Sequence, residues 1–263
     1  MLQRILADTY LQVAERRSAR PAAELERVAN QAPPPIDFAE RLRRPGVQLI
    51  AEIKRRSPSK GDLKPELDPA SLAVAYAEGG AAAISVLTEP TWFGGQLADL
   101  QSARSALDEV RAALPLLRKD FIVDPYQVLE ARAYGADAVL LIVAALSPER
   151  LALLSAEAAR WSLAALVEVH DEAELERALE VGARIVGINS RNLNDMAVDL
   201  RVVERLRPRV PQATLVVAES GIHSPEDVRR LHDLGVDAML VGEELVRSPD
   251  PRQRARELVE AGQ

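Results

Sequence analysis

One phrase recurs along the chain and limits what the chain can fold into. A helical stretch ends at a glycine, and a short apolar strand follows within a few residues. The clearest copies lie at residues 76–87, 133–143, 179–189 and 232–242. Glycine most easily takes the left-handed backbone conformation that ends many helices. The phrase therefore predicts a chain built from repeated helix-to-strand units.

Four further apolar segments bring the predicted strands to eight, at residues 47–54, 114–121, 162–170 and 213–221. Helix-length segments separate them, and several of these begin with Asp-Pro or Ser-Pro, a common helix start. Apolar strands that alternate with helices indicate a parallel sheet buried on both faces. Eight units in about 210 residues predict an α/β fold, the (β/α)8 TIM barrel. A doubly wound open sheet is the alternative, but no strand is followed by GxGxxG or GxxxxGK[ST].

The segment before the first predicted strand is long enough for additional helices. Residues 1–45 predict an N-terminal helical extension of two or three helices, in which QAPPPID at 31–37 forms a stiff connection. The barrel then occupies residues 46–263, and the chain contains no second domain by this interpretation.

Composition excludes several functions. The net charge of −7 argues against non-specific nucleic-acid binding, and the absence of cysteine excludes disulfides and thiolate metal sites. The longest wholly apolar run, residues 138–146, is too short to span a bilayer, and residues 1–17 do not resemble a signal peptide. We expect a soluble cytoplasmic protein, monomeric or weakly dimeric, that binds neither nucleic acid nor membrane.

Polar residues interrupt the predicted strands at their carboxyl ends. In LIAEIKRRSPSKGD, residues 49–62, Glu52 and Lys54 point to the same face of an otherwise apolar strand. A solvated surface strand would explain this pair, and a lone carboxylate at a strand end is often structural. In a barrel, however, the strand ends converge on one site. Acids and bases end several strands and predict a functional cluster there: Lys119, Asp120, Glu168, Asn189, Arg191, Glu219 and Ser220.

Lysine usage supports this interpretation. The chain has 33 lysines and arginines, of which only four are lysines: Lys54, Lys60, Lys64 and Lys119. Each lies at a strand end or in the loop after the first strand. A desolvated lysine can release its proton near neutral pH, whereas arginine cannot. Chance placement is the alternative, but Lys54 and Lys119 are the first candidates for proton transfer.

Two glycine-containing loops are typical of phosphate binding. Ser220 and Gly221 follow the seventh predicted strand, and Gly242 follows the eighth, each close to the start of a helix. Backbone N–H groups of these loops commonly hold phosphate in barrels. The three histidines are scattered without metal-ligand spacing; His223 is interpreted as a turn residue, and no metal site is predicted.

Five motifs carry a family resemblance: IAEIKRRSPSKG, LRKDFIVDPYQ, LVEVHDEAEL, VGINSRNL and VAESGIHSPEDV. In this order they resemble indole-3-glycerol phosphate synthase, the ring-closing enzyme of tryptophan biosynthesis, and the resemblance extends from about residue 1 to the end. It implies a cofactor-independent and metal-independent lyase. Its substrate would be 1-(2-carboxyphenylamino)-1-deoxyribulose 5-phosphate, which loses CO₂ and water to give indole-3-glycerol phosphate.

The resemblance also implies roles for individual residues. Lys119 would be the general acid for ring closure, and Glu168 the acid–base residue of the dehydration. Lys54 would pair with the anthranilate carboxylate or share the acid–base work, and Glu52 would hold the lysines in position. The other site residues would hold substrate hydroxyls, complete the strand-seven pair or contact phosphate: Asn189, Arg191, Glu219, Ser220, Ser57, Gly221 and Gly242.

The chain departs from the family pattern after Gly242, and the loop after the first predicted strand is a candidate lid. Glu243 and Glu244 follow Gly242 where the family often has a small hydroxyl residue nearby, which puts phosphate affinity in doubt. The loop at residues 55–69 is predicted to act as a mobile lid.

Three alternatives remain open on the sequence. A related phosphate-binding barrel enzyme, such as a ketose isomerase, would not need both lysines with Glu52 and Glu168. A Schiff-base aldolase would use Lys119 covalently. A non-catalytic ligand-binding barrel would leave the cost of its buried acids unexplained.

Overall fold

Eight parallel strands close into a barrel in the computed structural model, which describes residues 1–192 and 196–263. Each strand pairs with its neighbours in sequence, and the last pairs with the first, where Ile50 lies beside Leu240. The predicted (β/α)8 TIM barrel of class α/β is therefore confirmed. In chain order the barrel strands are β1 (Gln48–Ile53), β2 (Ala83–Leu87), β3 (Leu116–Lys119), β4 (Ala138–Ile142), β5 (Ala164–Val169), β6 (Ile185–Asn189), β7 (Leu215–Glu219) and β8 (Ala238–Val241).

Helices precede the barrel, alternate with its strands and end the chain. Three lie before β1: α1 (Leu2–Ala19), α2 (Ala22–Gln31) and α3 (Phe38–Leu42). No helix in the described part of the chain is long and apolar enough to cross a membrane. The remaining helices are α4 (Pro69–Glu78), α5 (Pro90–Phe93), α6 (Leu97–Glu109), α7 (Pro125–Ala133), α8 (Pro148–Arg160), α9 (Glu172–Glu180), α10 (Arg201–Leu206), α11 (Pro225–Asp233), α12 (Glu243–Arg247) and α13 (Pro251–Ala261).

Local sequence signals fix both ends of the alternating units. At α4, α7, α8 and α11 the first helical residue is proline, and the preceding Asp or Ser side chain accepts a hydrogen bond from a backbone N–H of the first turn. The glycines of the recurring phrase all have positive φ, as the left-handed helix end requires: Gly80, Gly135, Gly182 and Gly235.

The barrel strands are almost completely buried, which explains their near-continuous apolar sequences. Three carboxylates are exceptions to this apolar character. Glu52, Glu168 and Glu219 are buried on β1, β5 and β7, close to the strand ends. Their burial at one end of the barrel positions the site described below.

The N-terminal helices pack on the outside of the barrel against α7. Arg16 on α1 forms an ion pair with Glu130, 2.7 Å apart, and the Tyr126 hydroxyl donates to the carbonyl of Arg20 at 2.8 Å. A second small apolar cluster fills this contact, formed by Val13, Leu25, Ala29, Tyr126 and Leu129. The three helices agree with the predicted helical extension. Its boundaries, residues 1–45 for the extension and 46–263 for the barrel, stay a prediction.

Asp137 joins the connection between α2 and α3 to the barrel. Its carboxylate accepts from the backbone N–H of Ile36 and of Leu116, both at 2.7 Å, and pairs with Arg104. Burial raises the pKa of Asp137 despite the nearby guanidinium. Arg104 also lies 3.7 Å from Asp108, whose side chain is 66% exposed. One arginine therefore has a buried and an exposed carboxylate partner.

We predict that Asp137→Ala lowers the free energy of unfolding by about 3 kcal/mol, because it leaves two backbone donors without partners and removes the buried carboxylate that pairs with Arg104. Asp108→Ala, which removes the exposed partner of the same arginine, should change it by less than about 0.5 kcal/mol. Urea unfolding followed by circular dichroism measures both. Equal effects of the two substitutions would contradict this interpretation of Asp137.

Candidate active site

A cavity opens at the carboxyl ends of the barrel strands. The structure brings every site residue predicted from the sequence to its wall: Glu52, Lys54, Ser57, Lys119, Glu168, Asn189, Arg191, Glu219, Ser220, Gly221 and Gly242. Apolar side chains, Phe93 and Leu240 among them, line the same cavity. Convergent charged groups beside apolar surface are typical of a site that binds and transforms a small molecule.

Lys119 lies between two carboxylates at the centre of this cavity. Its Nζ is 2.6 Å from Glu219 Oε2 and 2.8 Å from Glu168 Oε2. The three side chains come from β3, β5 and β7, and inward side chains of alternate barrel strands share one layer. Lys119 is 12% exposed and each glutamate 2%. The layer thus holds one ammonium and two carboxylates almost out of solvent.

These contacts change the pKa of all three groups. Burial disfavours the charged lysine, but the nearby carboxylates outweigh burial and raise the pKa of Lys119 above its usual range. Burial also disfavours a charged Glu168, yet Lys119 lowers its pKa below the usual range. For Glu219, burial and the charge of Glu168 raise the pKa, and Lys119 only partly offsets them. The layer therefore accepts an additional proton most easily at Glu219.

Glu52 and Lys54 form a second ion pair beside this layer. Glu52 Oε1 lies 2.5 Å from Lys54 Nζ, and both side chains line the cavity. Gly242, across the cavity wall, lacks the Cβ that would collide with Glu52 Oε1 and lie 3.1 Å from Lys54 Nζ. The two charged residues that interrupt the first strand therefore face the cavity, which excludes the solvated surface strand.

Asn189 and Arg191 lie where β6 ends and its loop begins. Asn189 Oδ1 accepts from the Arg191 backbone N–H at 3.0 Å, and the Asn189 side chain also hydrogen-bonds Glu168. The Arg191 guanidinium donates to Ser59 Oγ at 3.3 Å and to the Met196 carbonyl at 3.2 Å. Arg191 therefore connects the loop after β6 to the loop after β1.

The loop after β1 forms a small hairpin with strands Arg56–Ser57 and Gly61–Asp62. Arg55 anchors its start, with one nitrogen 3.0 Å from Asp99 Oδ1 and another 3.2 Å from the Gly94 carbonyl. Leu67 is buried near its end. Ser57 Oγ is buried and has no hydrogen-bond partner within the described residues, so it is available to a ligand. The predicted lid movement stays a prediction.

The loops after β7 and β8 form the part of the cavity wall beside the β1 end, since β8 pairs with β1. Ser220 and Gly221 both have positive φ, +66° and +82°, and a side chain on Gly221 would lie 2.7 Å from Val198 Cγ1. Gly242, in contrast, has φ −125° and requires no glycine on conformational grounds. Its missing side chain makes room for Glu52 and Lys54 rather than only for a ligand.

Glu243 and Glu244 line the cavity, but each has a cationic partner. Glu244 Oε1 lies 2.8 Å from His223 Nδ1, and its Oε2 is 3.8 Å from Arg254. Glu243 lies 3.4 Å from Arg247 on the same helix. These partners reduce the negative potential that the sequence alone places next to Gly242.

Asp120 has a different environment from the other strand-end acids. Its carboxylate accepts from Thr88 Oγ1 at 2.6 Å, from the Phe121 N–H at 2.8 Å and from the fully buried Arg118 at 2.9 Å. Arg118 also reaches Glu130 at 3.2 Å. Asp120 lines the cavity as well, but its carboxylate is already held by these structural contacts, so its part in the functional cluster stays a prediction.

Two residues near the central layer escaped the sequence analysis. His170 Nε2 lies 3.4 Å from Glu168 Oε1, whereas Lys119 Nζ contacts the other oxygen of that carboxylate, Oε2. Gly187 on β6 leaves the space that Glu219 Oε1 occupies, because an added Cβ would collide with that oxygen. A glycine inside a strand pattern, as in VGIN, is a recognisable sign of such a close approach. His170 had no comparable sequence signal.

No group of three or more His, Cys, Asp or Glu side chains within residues 1–192 and 196–263 has an arrangement that could hold a metal ion. The absence of metal and cofactor in the functional protein stays a prediction.

We predict that Gly187→Ala lowers the free energy of unfolding by about 1–3 kcal/mol, because the methyl group displaces the buried Glu219 carboxylate. Glu219→Ala removes the colliding oxygen, so the cost of Gly187→Ala should fall to less than about 0.5 kcal/mol in that background. Urea unfolding of the parent, both single variants and the double variant gives the coupling. Additive effects would mean that Gly187 does not make room for Glu219.

Solved structures with a similar fold were found at low sequence identity. Thiamine phosphate pyrophosphorylase from Pyrococcus furiosus superposes with a TM-score of 0.61 at 23% identity, covering 82% of this chain and 95% of that one. The 3-hexulose-6-phosphate synthase from Salmonella typhimurium gives 0.63 at 14% identity, covering 82% and 98%. At these identities the likeness supports the barrel fold alone.

Sequence comparison is far more specific. The family model described as indole-3-glycerol phosphate synthase matches residues 2–258. A protein of that name from Dehalococcoides mccartyi is 50% identical over 260 residues, which cover 98% of this chain and all of the relative. Another, from a Nocardioides species, is 52% identical over 258 residues, covering 98% and 97%. This chain belongs to the indole-3-glycerol phosphate synthase family.

Proposed function

We propose that this chain is an indole-3-glycerol phosphate synthase of tryptophan biosynthesis. It closes the indole ring of 1-(2-carboxyphenylamino)-1-deoxyribulose 5-phosphate and releases CO₂ and water, as a lyase that needs no cofactor. The observation that carries the proposal is Lys119 between Glu168 and Glu219, beside the Glu52–Lys54 pair in one cavity. The proposal includes a cytoplasmic, monomeric or weakly dimeric enzyme with a small phosphorylated substrate.

Lys119 is the general acid of ring closure in this proposal. Its two carboxylate contacts keep it protonated, so it can donate to the substrate ketone oxygen as the aromatic ring attacks the carbon. A strongly raised pKa alone would make the lysine a weak acid. Glu219, with its raised pKa, offsets this effect, because its protonation removes one of the charges that hold the lysine proton.

Glu168 is the acid–base partner for the later dehydration. Its lowered pKa keeps it ionised beside Lys119, so it can accept a proton and later return one. Asn189, which hydrogen-bonds Glu168, is suited to hold a substrate hydroxyl near this carboxylate. Two carboxylates with opposite pKa shifts provide a donor and an acceptor in one layer.

The Glu52–Lys54 pair is suited to the anthranilate end of the substrate. Lys54 carries the positive charge that a carboxylate requires, and Glu52 fixes its position at 2.5 Å. Loss of CO₂ removes that negative charge, so the pair contacts the group that leaves. Arg191 adds a further cation and, through Ser59, links the substrate-binding loops.

The phosphate binds at the loops after β7 and β8 in this proposal. Ser220 and Gly221 provide backbone N–H groups after β7, Gly242 provides one after β8, and Ser57 Oγ faces the cavity without a partner in the described chain. Backbone donors at these two loops are the usual phosphate site of the barrel fold.

The alternatives are less consistent with the site. A Schiff-base aldolase needs a neutral nucleophilic lysine, whereas the two carboxylates stabilise the ammonium form of Lys119. A ketose isomerase would not need the Glu52–Lys54 pair for its reaction. A non-catalytic barrel would pay for three buried carboxylates without using them.

We predict that the purified protein converts 1-(2-carboxyphenylamino)-1-deoxyribulose 5-phosphate to a product with indole fluorescence. Lys119→Met and Lys119→Arg should each lower kcat at least about a hundredfold, because neither side chain can release a proton near neutral pH. Lys64→Arg, at an exposed lysine outside the cavity, is the matched control and should behave like the parent.

Three results would contradict this proposal in different ways. Near-normal turnover of Lys119→Arg would show that charge alone suffices and would remove the general-acid role. An adduct trapped by borohydride with substrate would instead favour the aldolase. A parent protein that binds the substrate without forming the indole would leave only the non-catalytic barrel.

We also predict that inorganic phosphate at about 50 mM raises the melting temperature by about 5 °C, if the site binds with roughly millimolar Kd. Gly221→Val should abolish this increase, because a side chain there blocks the approach of phosphate to the backbone. Gly182→Val is the control, since Gly182 has a similar φ of +73° but faces open space away from the cavity. It should lose stability by a similar strain and keep the phosphate response. Loss of the response in both variants would contradict the assignment.

A further inference from the structure

His170 connects the central layer to a second cavity. It directly follows β5, and its ring lies between two carboxylates: Nδ1 is 2.9 Å from Glu174 Oε2, and Nε2 is 3.4 Å from Glu168 Oε1. The same Glu174 oxygen also accepts a hydrogen bond from the His170 backbone N–H at 2.8 Å. These two contacts of one oxygen hold the ring in place. Nε2 is buried and makes no hydrogen bond within the described residues. The ring thus touches Glu168 from the side opposite Lys119.

A second cavity lies on the outer side of this histidine. His170, Asp171 and Glu174 line it, and Asn189 lines both this cavity and the first one. Its wall includes exposed residues such as Gln3 and Asp171, so solvent reaches it. Other charged residues of its wall are Arg177, Asp199 and Arg205. Water can therefore approach His170 without passing through the first cavity.

The proposed reaction needs such an approach. The substrate carboxylate leaves as CO₂ and a hydroxyl leaves as water, so charge balance requires the uptake of one proton in every turnover. Lys119 supplies a proton to the ketone oxygen and must be reprotonated before the next turnover. Until product is released it fills the first cavity, so water reaches the layer from the second cavity.

We propose that His170 reprotonates the Glu168–Lys119 pair with protons taken from the second cavity. This inference rests on the proposed function. In the step, the N–H bond at His170 Nε2 breaks and an O–H bond forms on Glu168 Oε1. The carboxyl group then rotates about its soft terminal torsion and gives the proton to the neutral Lys119 amine 2.8 Å away. The neutral imidazole then rotates so that its unprotonated nitrogen faces the second cavity, takes a proton from water there and rotates back.

The surroundings of His170 favour the charged state that this step requires. Burial disfavours the imidazolium, but the hydrogen bond to Glu174 and the charge of Glu168 raise the pKa of His170 above its usual range. Glu219 on β7 acts in the same direction from further away. The groups that face the ring from β5, α9 and β7 are thus all carboxylates. His170 is a positioning and proton-supplying residue that acts on substrate only through Glu168.

The decisive experiment separates the first turnover from later ones. Lys119 begins protonated, so His170→Asn should form the first equivalent of indole product at the parent rate when enzyme is in excess. Under multiple turnover its kcat should fall by about tenfold or more, with KM unchanged. A merely structural defect would slow the first turnover as well. His232→Asn, at an exposed histidine outside both cavities, is the control and should match the parent.

The pH profile gives an independent test. The parent's kcat should fall as pH rises through the pKa of His170, because the imidazolium is the donor. Glu174→Gln removes one of the three carboxylates that raise this pKa, so the fall should move to lower pH. This variant also serves if His170→Asn does not fold. Parent-like multiple-turnover kinetics of His170→Asn, or an unmoved profile in Glu174→Gln, would overturn the proposal.

A measurement without turnover distinguishes this inference from the proposed function. NMR titration of the His170 ring should give a lower pKa in Glu168→Gln than in the parent, because the neighbouring charge is lost. An unchanged pKa would overturn the link between His170 and Glu168 even if the enzyme forms the indole. A parent without indole-forming activity would refute the proposed function, and with it the task assigned to His170.

Discussion

The ion triad of Lys119, Glu168 and Glu219 is the interaction on which the rest of the site depends. At an effective dielectric constant of about 20, an ion pair at 2.8 Å interacts by about 6 kcal/mol, which is comparable with the several kcal/mol needed to desolvate each ion. Neither glutamate could stay charged there without the lysine. The three side chains come from alternate strands, so only a closed barrel brings them within contact distance.

Burial of this triad explains the residues around it. Glu219 requires the space that Gly187 leaves, and Glu168 is held from its other side by Asn189 and approached by His170. The Glu52–Lys54 pair adds a third buried carboxylate to the site without adding net charge. The residues around the triad therefore either leave space for its carboxylates, contact them, or bring a positive and a negative charge together.

Much of the fold and the location of the site could be predicted from sequence, because both follow from local signals. Strand order follows from the repeated helix-to-strand phrase, and the helix starts at Pro69, Pro125, Pro148 and Pro225 follow from their caps. The candidate site residues lie at strand ends, which any barrel brings together. The roles of individual residues stay predictions, since placement in one cavity does not measure chemistry.

Other features depend on distances across the barrel, which no local pattern contains. Asp120 ends a strand and lines the cavity like Glu168, but its carboxylate is held by the buried Arg118. Glu244 lies two residues after Gly242 in sequence, but its carboxylate contacts His223, 21 residues earlier, and lies near Arg254. His170 was indistinguishable in sequence from His232, although one contacts Glu168 and the other lies on an exposed helix. Side-chain direction decides each case.

The distribution of lysine has a practical consequence for handling the protein. Besides the N-terminus, primary amines occur only at residues 54, 60, 64 and 119, and of these Lys60 and Lys64 are the exposed ones. Both lie on or beside the hairpin at the mouth of the cavity. Amine-reactive dyes, crosslinkers and coated surfaces will therefore attach at the mouth and cover it, while the arginine-rich remainder stays unmodified. Oriented attachment that leaves the cavity open needs a lysine or cysteine introduced at the opposite end of the barrel.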